Sequence, residues 1–348
     1  MNVEELKIGF EFDGLKIIRH IGSGSFGALY EGQELSFGRS IALKVLHTKV
    51  GRDPSFVERF IRESHAIASL RHPNIVELYR CGEISGNPYM VLELVRGKDL
   101  FRLLKAEGTM TTKKALSIGK EVANGLGYAH EQSIVHRDVK PANILVSEKV
   151  GLVKVADFGI CKLLLDEKNR TAEGLIVGTP AYLPPEGIRG ERPKPAWDVY
   201  ALGLVILDML GWHNPFDGPI SAILAAKKDG RPVIKAINEL GLPFKLAFIL
   251  KKATTFKSDE RYVDCVEFAK VLQSYLGKSS SNEKRDTKKV KAVKSPVART
   301  FRSLLPLLLV LLVSLSLVAL YWHNTQSSGP MCDDEDKPAS LSLDIGED

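Results

Sequence analysis

The chain has 348 residues, 44% apolar and 26% charged, enough for one large two-lobed domain with extra segments and ordinary for a globular protein. Its net charge of +6 is concentrated in residues 278–302, where Lys278, Lys284, Arg285, Lys288, Lys289, Lys291, Lys294, Arg299 and Arg302 stand against Glu283 and Asp286. The remainder is nearly neutral, so charge gives no argument for a nucleic-acid partner. Cys81, Cys161, Cys265 and Cys332 fit neither a zinc spacing nor a disulfide framework.

Residues 1–10 form a short lead-in that carries Glu4 and Glu5 and lacks an apolar signal core, so the chain is expected to start in the cytoplasm. Leu15-Lys16-Ile17-Ile18 reads as a strand running into Gly22-Ser23-Gly24-Ser25-Phe26-Gly27. Glycines there let the backbone approach phosphates. Such a run alone also fits a dinucleotide-binding turn, but Tyr30-Glu31-Gly32 and a second strand follow rather than a helix, which favours a glycine-rich flap. Ser40 to Leu46 alternates like a half-buried strand. Ser55 to Ala68 has helical spacing through Phe56, Phe60, Ile61 and Ile67, and Ile75 to Leu78 and Tyr89 to Leu92 return to strands. After Gly97 the pattern is mainly helical, as in Lys113 to His130 and Trp197 to Met209. The expectation is an α+β domain over residues 11–276, with a small strand-rich lobe at about 11–95 and a larger helical lobe at about 96–276.

Residues 277–303 are polar and basic without a hydrophobic period, and read as a juxtamembrane linker. Residues 304–322, Leu304 to Trp322, are apolar apart from Pro306, Ser314 and Ser316. As a helix they span about 28 Å, close to a bilayer core. Tyr321 and Trp322 suit the interface at the far end. The basic flank before this segment and the run Asp333 to Asp336 after it orient it with the large domain in the cytoplasm and the acidic tail, 323–348, outside. The basic linker serves as a topology signal and as an attraction to anionic lipid; it lacks the interleaved aromatics of a nucleic-acid binder.

The chemistry concentrates in His136-Arg137-Asp138-Val139-Lys140-Pro141-Ala142-Asn143, followed fourteen residues later by Asp157-Phe158-Gly159. Asp138 can accept a hydrogen bond from a substrate hydroxyl and aim it, and Lys140 can meet a moving phosphate. Asn143 and Asp157 offer oxygens to Mg2+, with Mn2+ as a substitute. Lys44 ends the strand segment Ile41-Ala42-Leu43-Lys44, which resembles the VAIK element; that likeness implies a cation on the α- and β-phosphates, with Glu63 on the following helix holding it by an ion pair. His136 reads as a packing residue beneath the loop, against Phe158.

These elements in order resemble the eukaryotic-type (Hanks-type) protein kinases over residues 11 to about 276. The resemblance implies a bilobal fold, ATP as phosphoryl donor and protein acceptors. It makes Ile21, Gly22, Ser23, Gly24, Ser25, Phe26, Gly27 and Leu29 the nucleotide flap, and Ala42 and Leu145 the ceiling and floor over adenine. Leu92 becomes the gatekeeper, Glu93 to Val95 the hinge, and Asp99 the ribose-contacting acid. Ile67, Leu78, His136 and Phe158 match the regulatory spine. Asp198 matches the acid that braces the catalytic loop, and Glu186 would pair with buried Arg261. Two positions depart from the pattern: Leu29 stands for the usual Val and Pro184 for the usual Ala.

Lys140-Pro141-Ala142-Asn143 and Gly178-Thr179-Pro180-Ala181-Tyr182 resemble Ser/Thr rather than tyrosine kinases. Thr179 would shape the site near Asp138 and Lys140. Between Asp157 and Pro180 the remaining hydroxyl is Thr171, the expected phosphosite, whose phosphate Arg137 would bind. The layout is similar to bacterial single-pass membrane Ser/Thr kinases, so a bacterial inner-membrane location is expected, with a tail-anchored protein of a eukaryotic endomembrane as the alternative and a homodimer left open as a partner state. Two rivals stand beside this reading: a membrane-tethered kinase-fold scaffold with weak or partner-dependent catalysis, and a small-molecule kinase.

Overall fold

In the computed structural model of the chain, the described residues are 6–24, 27–46, 54–147, 151–158, 180–212, 214–216 and 220–282. Residues 1–285 form one compact unit, and the second unit, 286–348, lies outside the described residues. No described helix is long and apolar enough to cross a membrane; the expected span at 304–322 is outside the described residues.

The first lobe is an antiparallel sheet of six strands in the order β1-β2-β3-β4-β6-β5. The strands are β1 (Glu11–Phe12), β2 (Leu15–Gly24), β3 (Gly27–Glu34), β4 (Arg39–Leu46), β5 (Leu78–Ile84) and β6 (Asn87–Glu93). Alternation along β4 sends Ile41, Leu43 and Val45 to one face, where they pack with Leu15, Ile17, Ala28, Tyr30, Tyr89 and Val91. Ala42, Lys44 and Leu46 then share the opposite face. There Leu46 packs with Leu78, Met90 and Phe60 of helix α1 (Pro54–Ala68). The period of two thus puts the one lysine of this strand on the face that looks toward α1. Ile75 to Leu78, expected as a strand, is mostly something else: Ile75 makes a single parallel bridge to Val155, and the strand begins at Leu78. The short apolar run serves the junction between lobes, which its composition does not distinguish from a strand.

The glycine run does lead from strand to strand. Gly22 pairs with Leu29, Ser23 with Ala28 and Gly24 with Gly27 across the β2–β3 hairpin, and two register shifts in β2 bend it just before the turn. Ser25 and Phe26 lie outside the described residues. At Gly27 a Cβ would sit 2.1 Å from the Val45 carbonyl oxygen, so this position admits glycine alone without displacing β4.

The second lobe is built on helices α2 (Leu100–Glu107), α3 (Thr112–Glu131), α4 (Pro185–Ile188), α5 (Pro195–Leu210), α6 (Ile220–Ala226), α7 (Arg231–Glu239), α8 (Phe244–Ala253) and α9 (Cys265–Asn282). Three short strands, β7 (Lys98–Asp99), β8 (Ile144–Val146) and β9 (Val153–Val155), form a second sheet. Helix α5 is apolar all round and buried on nearly every residue from Ala196 to Met209, so it is the axis of this lobe rather than a surface helix. It stops at Gly211, whose left-handed φ of 85° a β-carbon would oppose.

A buried ion pair fixes α4 to the rest of the lobe. Arg261 Nη1 and Nη2 donate to Glu186 Oε1 and Oε2 at 2.7 and 2.9 Å, with the two side chains 0% and 2% exposed. The remaining guanidinium hydrogens go to the carbonyls of Thr255, Phe256 and Ala196, and the group lies over the Tyr200 ring. This is the pair the sequence suggests, and its full satisfaction offsets the desolvation of two charges. Removing one partner strands the other: Glu186→Ala or Arg261→Ala is expected to lower unfolding free energy by about 3–5 kcal/mol, measured by chemical denaturation.

Candidate active site

The hairpin β8–β9 explains why residues fourteen apart in sequence share one cleft. Ile144 pairs with Val155 and Val146 with Val153, and the next rung is the Ala156 N–H donating to the Asn143 carbonyl at 2.8 Å. Asn143 on one arm and Asp157 beyond the other are therefore side by side at the hairpin's open end. Pro141–Asn143 is a short 3-10 turn that turns the chain into β8.

Asp138 lies within this turn's reach. Lys140 Nζ donates to Asp138 Oδ2 at 2.9 Å, and Asn143 Nδ2 donates to the Asp138 carbonyl at 2.8 Å and to Oδ2 at 3.1 Å. Since the Asn143 amide nitrogen is committed to Asp138, its oxygen is the atom available to a cation. Across the cleft, Lys44 Nζ donates to Asp157 Oδ1 at 2.7 Å. Burial favours the neutral form of Asp157, but the ammonium of Lys44 outweighs it and holds this carboxyl below the usual range, hence ionised. One amide oxygen and one carboxylate suit Mg2+, which takes few protein ligands and keeps the rest of its shell for water and phosphate oxygens. The Glu63 carboxylate lies 3.7 Å from Arg62 Nε.

The loop itself is held from beneath. The Asp198 carboxylate, 1% exposed, accepts the His136 N–H at 2.8 Å on Oδ2 and the Arg137 N–H at 2.9 Å on Oδ1, and contacts His130 Nε2 at 2.9 Å. Two backbone donors converging on one carboxylate require an unusual turn, and Arg137 adopts φ 68°. Asp157 adopts φ 57°. Left-handed backbone at two non-glycine residues that border one cleft is strain that the surroundings must impose, and such strain gathers at functional sites.

His136 is fully buried and sits 4.5 Å from the Phe158 ring, centroid to centroid. Its Nε2 faces the Ala156 carbonyl at 3.0 Å, which can only accept, so Nε2 carries the proton. Its Nδ1 then accepts the Asp138 N–H at 3.2 Å. The neutral ring is a strut between the Asp138 loop and the Asp157 segment. Burial lowers its pKa, and this outweighs the pull of Asp198.

The other expected residues take their places by register. Ala42 is opposite Leu92, Lys44 opposite Met90, and Leu29 opposite Lys44. Asp99 pairs with Leu145 in the β7–β8 ladder. The Asp99 carboxylate caps α2, accepting the Arg102 N–H at 2.8 Å, and also meets the Arg102 side chain at 3.1 Å. Glu93 bonds Lys154 Nζ at 2.8 Å. Ile67 and Leu78 pack in the contact between α1 and the sheet. Thr171 and Thr179 lie outside the described residues.

Three residues escaped the sequence reading. Asn74 Nδ2 donates to the Val153 carbonyl at 2.8 Å while its own carbonyl accepts the Val155 N–H at 2.8 Å. Lys154, 7% exposed, reaches the Ile75 carbonyl at 3.0 Å as well as Glu93. His130 supports Asp198 and accepts the Cys265 N–H on Nδ1 at 3.2 Å. The only sequence signal for any of them was a polar residue within an apolar run, as Lys154 is within Val153-Lys154-Val155.

Comparison with known proteins bears on this geometry. Residues 15–291 match the family described as protein kinase domain. The chain is 34% identical over 274 residues to serine/threonine-protein kinase PrkC of Bacillus subtilis, covering 78% of this chain and 42% of that protein. It is 36% identical over 254 residues to serine/threonine-protein kinase PknB of Mycobacterium tuberculosis, covering 71% and 40%. Among solved structures, the PknI kinase domain of Mycobacterium tuberculosis superposes with a TM-score of 0.61 at 28% identity, over 77% of this chain and 99% of that one. The chain thus spans less than half the length of these two curated relatives.

Because His136 is neutral when folded and has an ordinary pKa near 6.5 when unfolded, the unfolded state binds the extra proton as pH falls below about 6.5. Its contribution is intact above that pH and is lost toward the depressed folded value. Denaturant titrations at pH 7.5 and 5.5 are expected to show lower stability at the acid value, and His136→Gln is expected to flatten that dependence.

Proposed function

This chain belongs to the protein kinase domain family, and we propose that it is a serine/threonine protein kinase that moves the ATP γ-phosphoryl group to Ser or Thr hydroxyls of proteins. The observation that carries the reading is the convergence of Asp138, Lys140, Asn143, Asp157 and Lys44 at the open end of one hairpin. Asp138 orients the acceptor hydroxyl and takes its proton as the new O–P bond forms and the bond to ADP breaks. Lys140, already on Asp138, carries a positive charge to the transferring phosphoryl. Lys44 carries one to the α- and β-phosphates, which requires its contact with Asp157 to loosen, and Glu63 is then the partner that steadies it. Asn143 and Asp157 would hold Mg2+ through oxygen, and that ion would supply charge neutralisation for the phosphates. Catalysis of this kind rests on placement and charge rather than on a strong base.

Ala42, Leu92, Glu93, Val95 and Leu145 form the adenine site in this reading, with Ile21, Leu29 and the glycine flap above and Asp99 beside the ribose. In this reading the apolar run 304–322 would cross a membrane as a helix, with the kinase domain cytoplasmic, the basic linker against anionic lipid, and the bacterial inner membrane as the setting. Support for this comes from the apolar run and its charged flanks. Autophosphorylation at Thr171, followed by capture of the phosphate by Arg137, is the proposed activation step. A kinase-fold scaffold is the second reading; the intact set Lys44, Glu63, Asp138, Asn143 and Asp157 weighs against it.

The test is radiolabel transfer from ATP to a basic acceptor protein with Mg2+, beside Asp157→Ala. Label on Ser and Thr in the wild type, and a loss of about 100-fold or more in the variant, is expected. Nucleotide binding without transfer in a folded wild type would move the weight to the scaffold. In active protein, intact-mass and peptide mapping are expected to place phosphate on Thr171.

A further inference from the structure

Lys227 follows α6 and is 3% exposed. Its Nζ donates to the Leu183 carbonyl at 2.8 Å, lies 3.8 Å from the centre of the Phe216 ring and 5.1 Å from that of Tyr200. Among the described residues no carboxylate reaches this amine; the neighbouring Glu186 already has both oxygens on Arg261. Burial first, then the charge of Arg261, push its pKa well below the usual lysine range, with Glu186 opposing. Protonated or neutral, the amine still has an N–H for the Leu183 carbonyl. Burying it without a carboxylate is costly, and a methionine would fill the same space without that cost. A lysine here is therefore explained by what it holds.

What it holds is the wall of the cleft at Asp138. Tyr182, Leu183 and Pro184 pack beside Arg137, Asp138 and Trp197, leaving a space of only about 10 Å3 between them. This wall is tied down on either side of Leu183: the Tyr182 hydroxyl donates to Asp208 Oδ2 at 2.6 Å, and Glu186 is locked to Arg261. Between those anchors stand Pro184 and Pro185, neither of which has an N–H to give. The stretch cannot be fixed by its own backbone donors at these two positions, and Lys227 supplies a donor from a different element.

We infer that Lys227 is a positioning residue for the protein acceptor: by its bond to the Leu183 carbonyl it fixes the Tyr182–Pro184 wall against which the acceptor is laid beside Asp138. This rests on the reading of the chain as a protein kinase. The residue touches neither nucleotide nor the reacting atoms, so its loss is felt in acceptor binding rather than in ATP binding.

The experiment compares the full chain with Lys227→Met and Lys227→Gln, using a lysine-rich histone as acceptor, and reads KM for histone, KM for ATP, kcat and thermal midpoint. Lys227→Met, which keeps the volume and removes the donor, is expected to raise the histone KM by about 3- to 10-fold, the worth of one hydrogen bond, with the ATP KM within about twofold of wild type. Lys227→Gln keeps a donor of shorter reach and is expected to fall between wild type and Met. If Lys227→Met does not fold, Lys227→Gln alone decides by the same two constants. An unchanged histone KM in a folded variant, or equal rises in both KM values, overturns the inference while leaving the kinase reading intact. A folded wild type that transfers no phosphate overturns the kinase reading, and the inference falls with it.

Discussion

The arrangement of this site depends on one buried carboxylate. Asp198 projects from the most buried of the described helices and takes the N–H groups of two successive residues, His136 and Arg137, one on each oxygen. Charge-assisted bonds of this type are stronger than neutral ones, and here they force Arg137 into left-handed backbone. That twist presents Asp138 to the cleft. His136, fixed by the same contact, passes the constraint onward: its ring receives the Asp138 N–H and donates to Ala156, the residue before Asp157. A rigid helix, a strained loop and the far arm of a hairpin are thereby one mechanical unit.

The charges in the cleft show the opposite property, since they are matched to one another rather than to the frame. Lys140 rests on Asp138 and Lys44 on Asp157. Each cation neutralises a carboxylate that phosphoryl transfer would call on for another purpose. An incoming polyanion and a divalent cation offer both partners better matches, so the paired state is one that substrate binding can reorganise at small net cost.

Much of this was legible in the sequence because it rests on local rules. Alternation in β4 placed Lys44 on the face opposite Ile41 and Leu43, and the strand after the glycine run favoured a flap over a dinucleotide-binding turn. The stretch Trp197 to Met209 read as helical, and the motif residues Asp138, Asn143 and Asp157 meet because a hairpin register brings them together. What the sequence did not reveal are the long-range polar contacts. Asn74, His130, Lys154 and Lys227 act across separations of 44 to 135 residues, and nothing in their neighbours states which buried carbonyl or amide they will meet. Ile75 to Leu78 shows the same limit for apolar residues: four residues that suit a strand became a junction, because Ile75 was claimed by Val155.

If Asp198 is the keystone, its charge and not merely its shape must matter. Asp198→Asn keeps the volume but turns one acceptor into a donor that confronts a backbone N–H. The decisive measurement is the rate of phosphoryl transfer by this variant beside the wild type, with nucleotide affinity and the circular dichroism spectrum as controls. The account predicts a folded protein that binds ATP with ordinary affinity and transfers its phosphate about 10- to 100-fold more slowly. A folded variant with wild-type transfer would contradict it, and would show that the loop holds its geometry without the buried carboxylate.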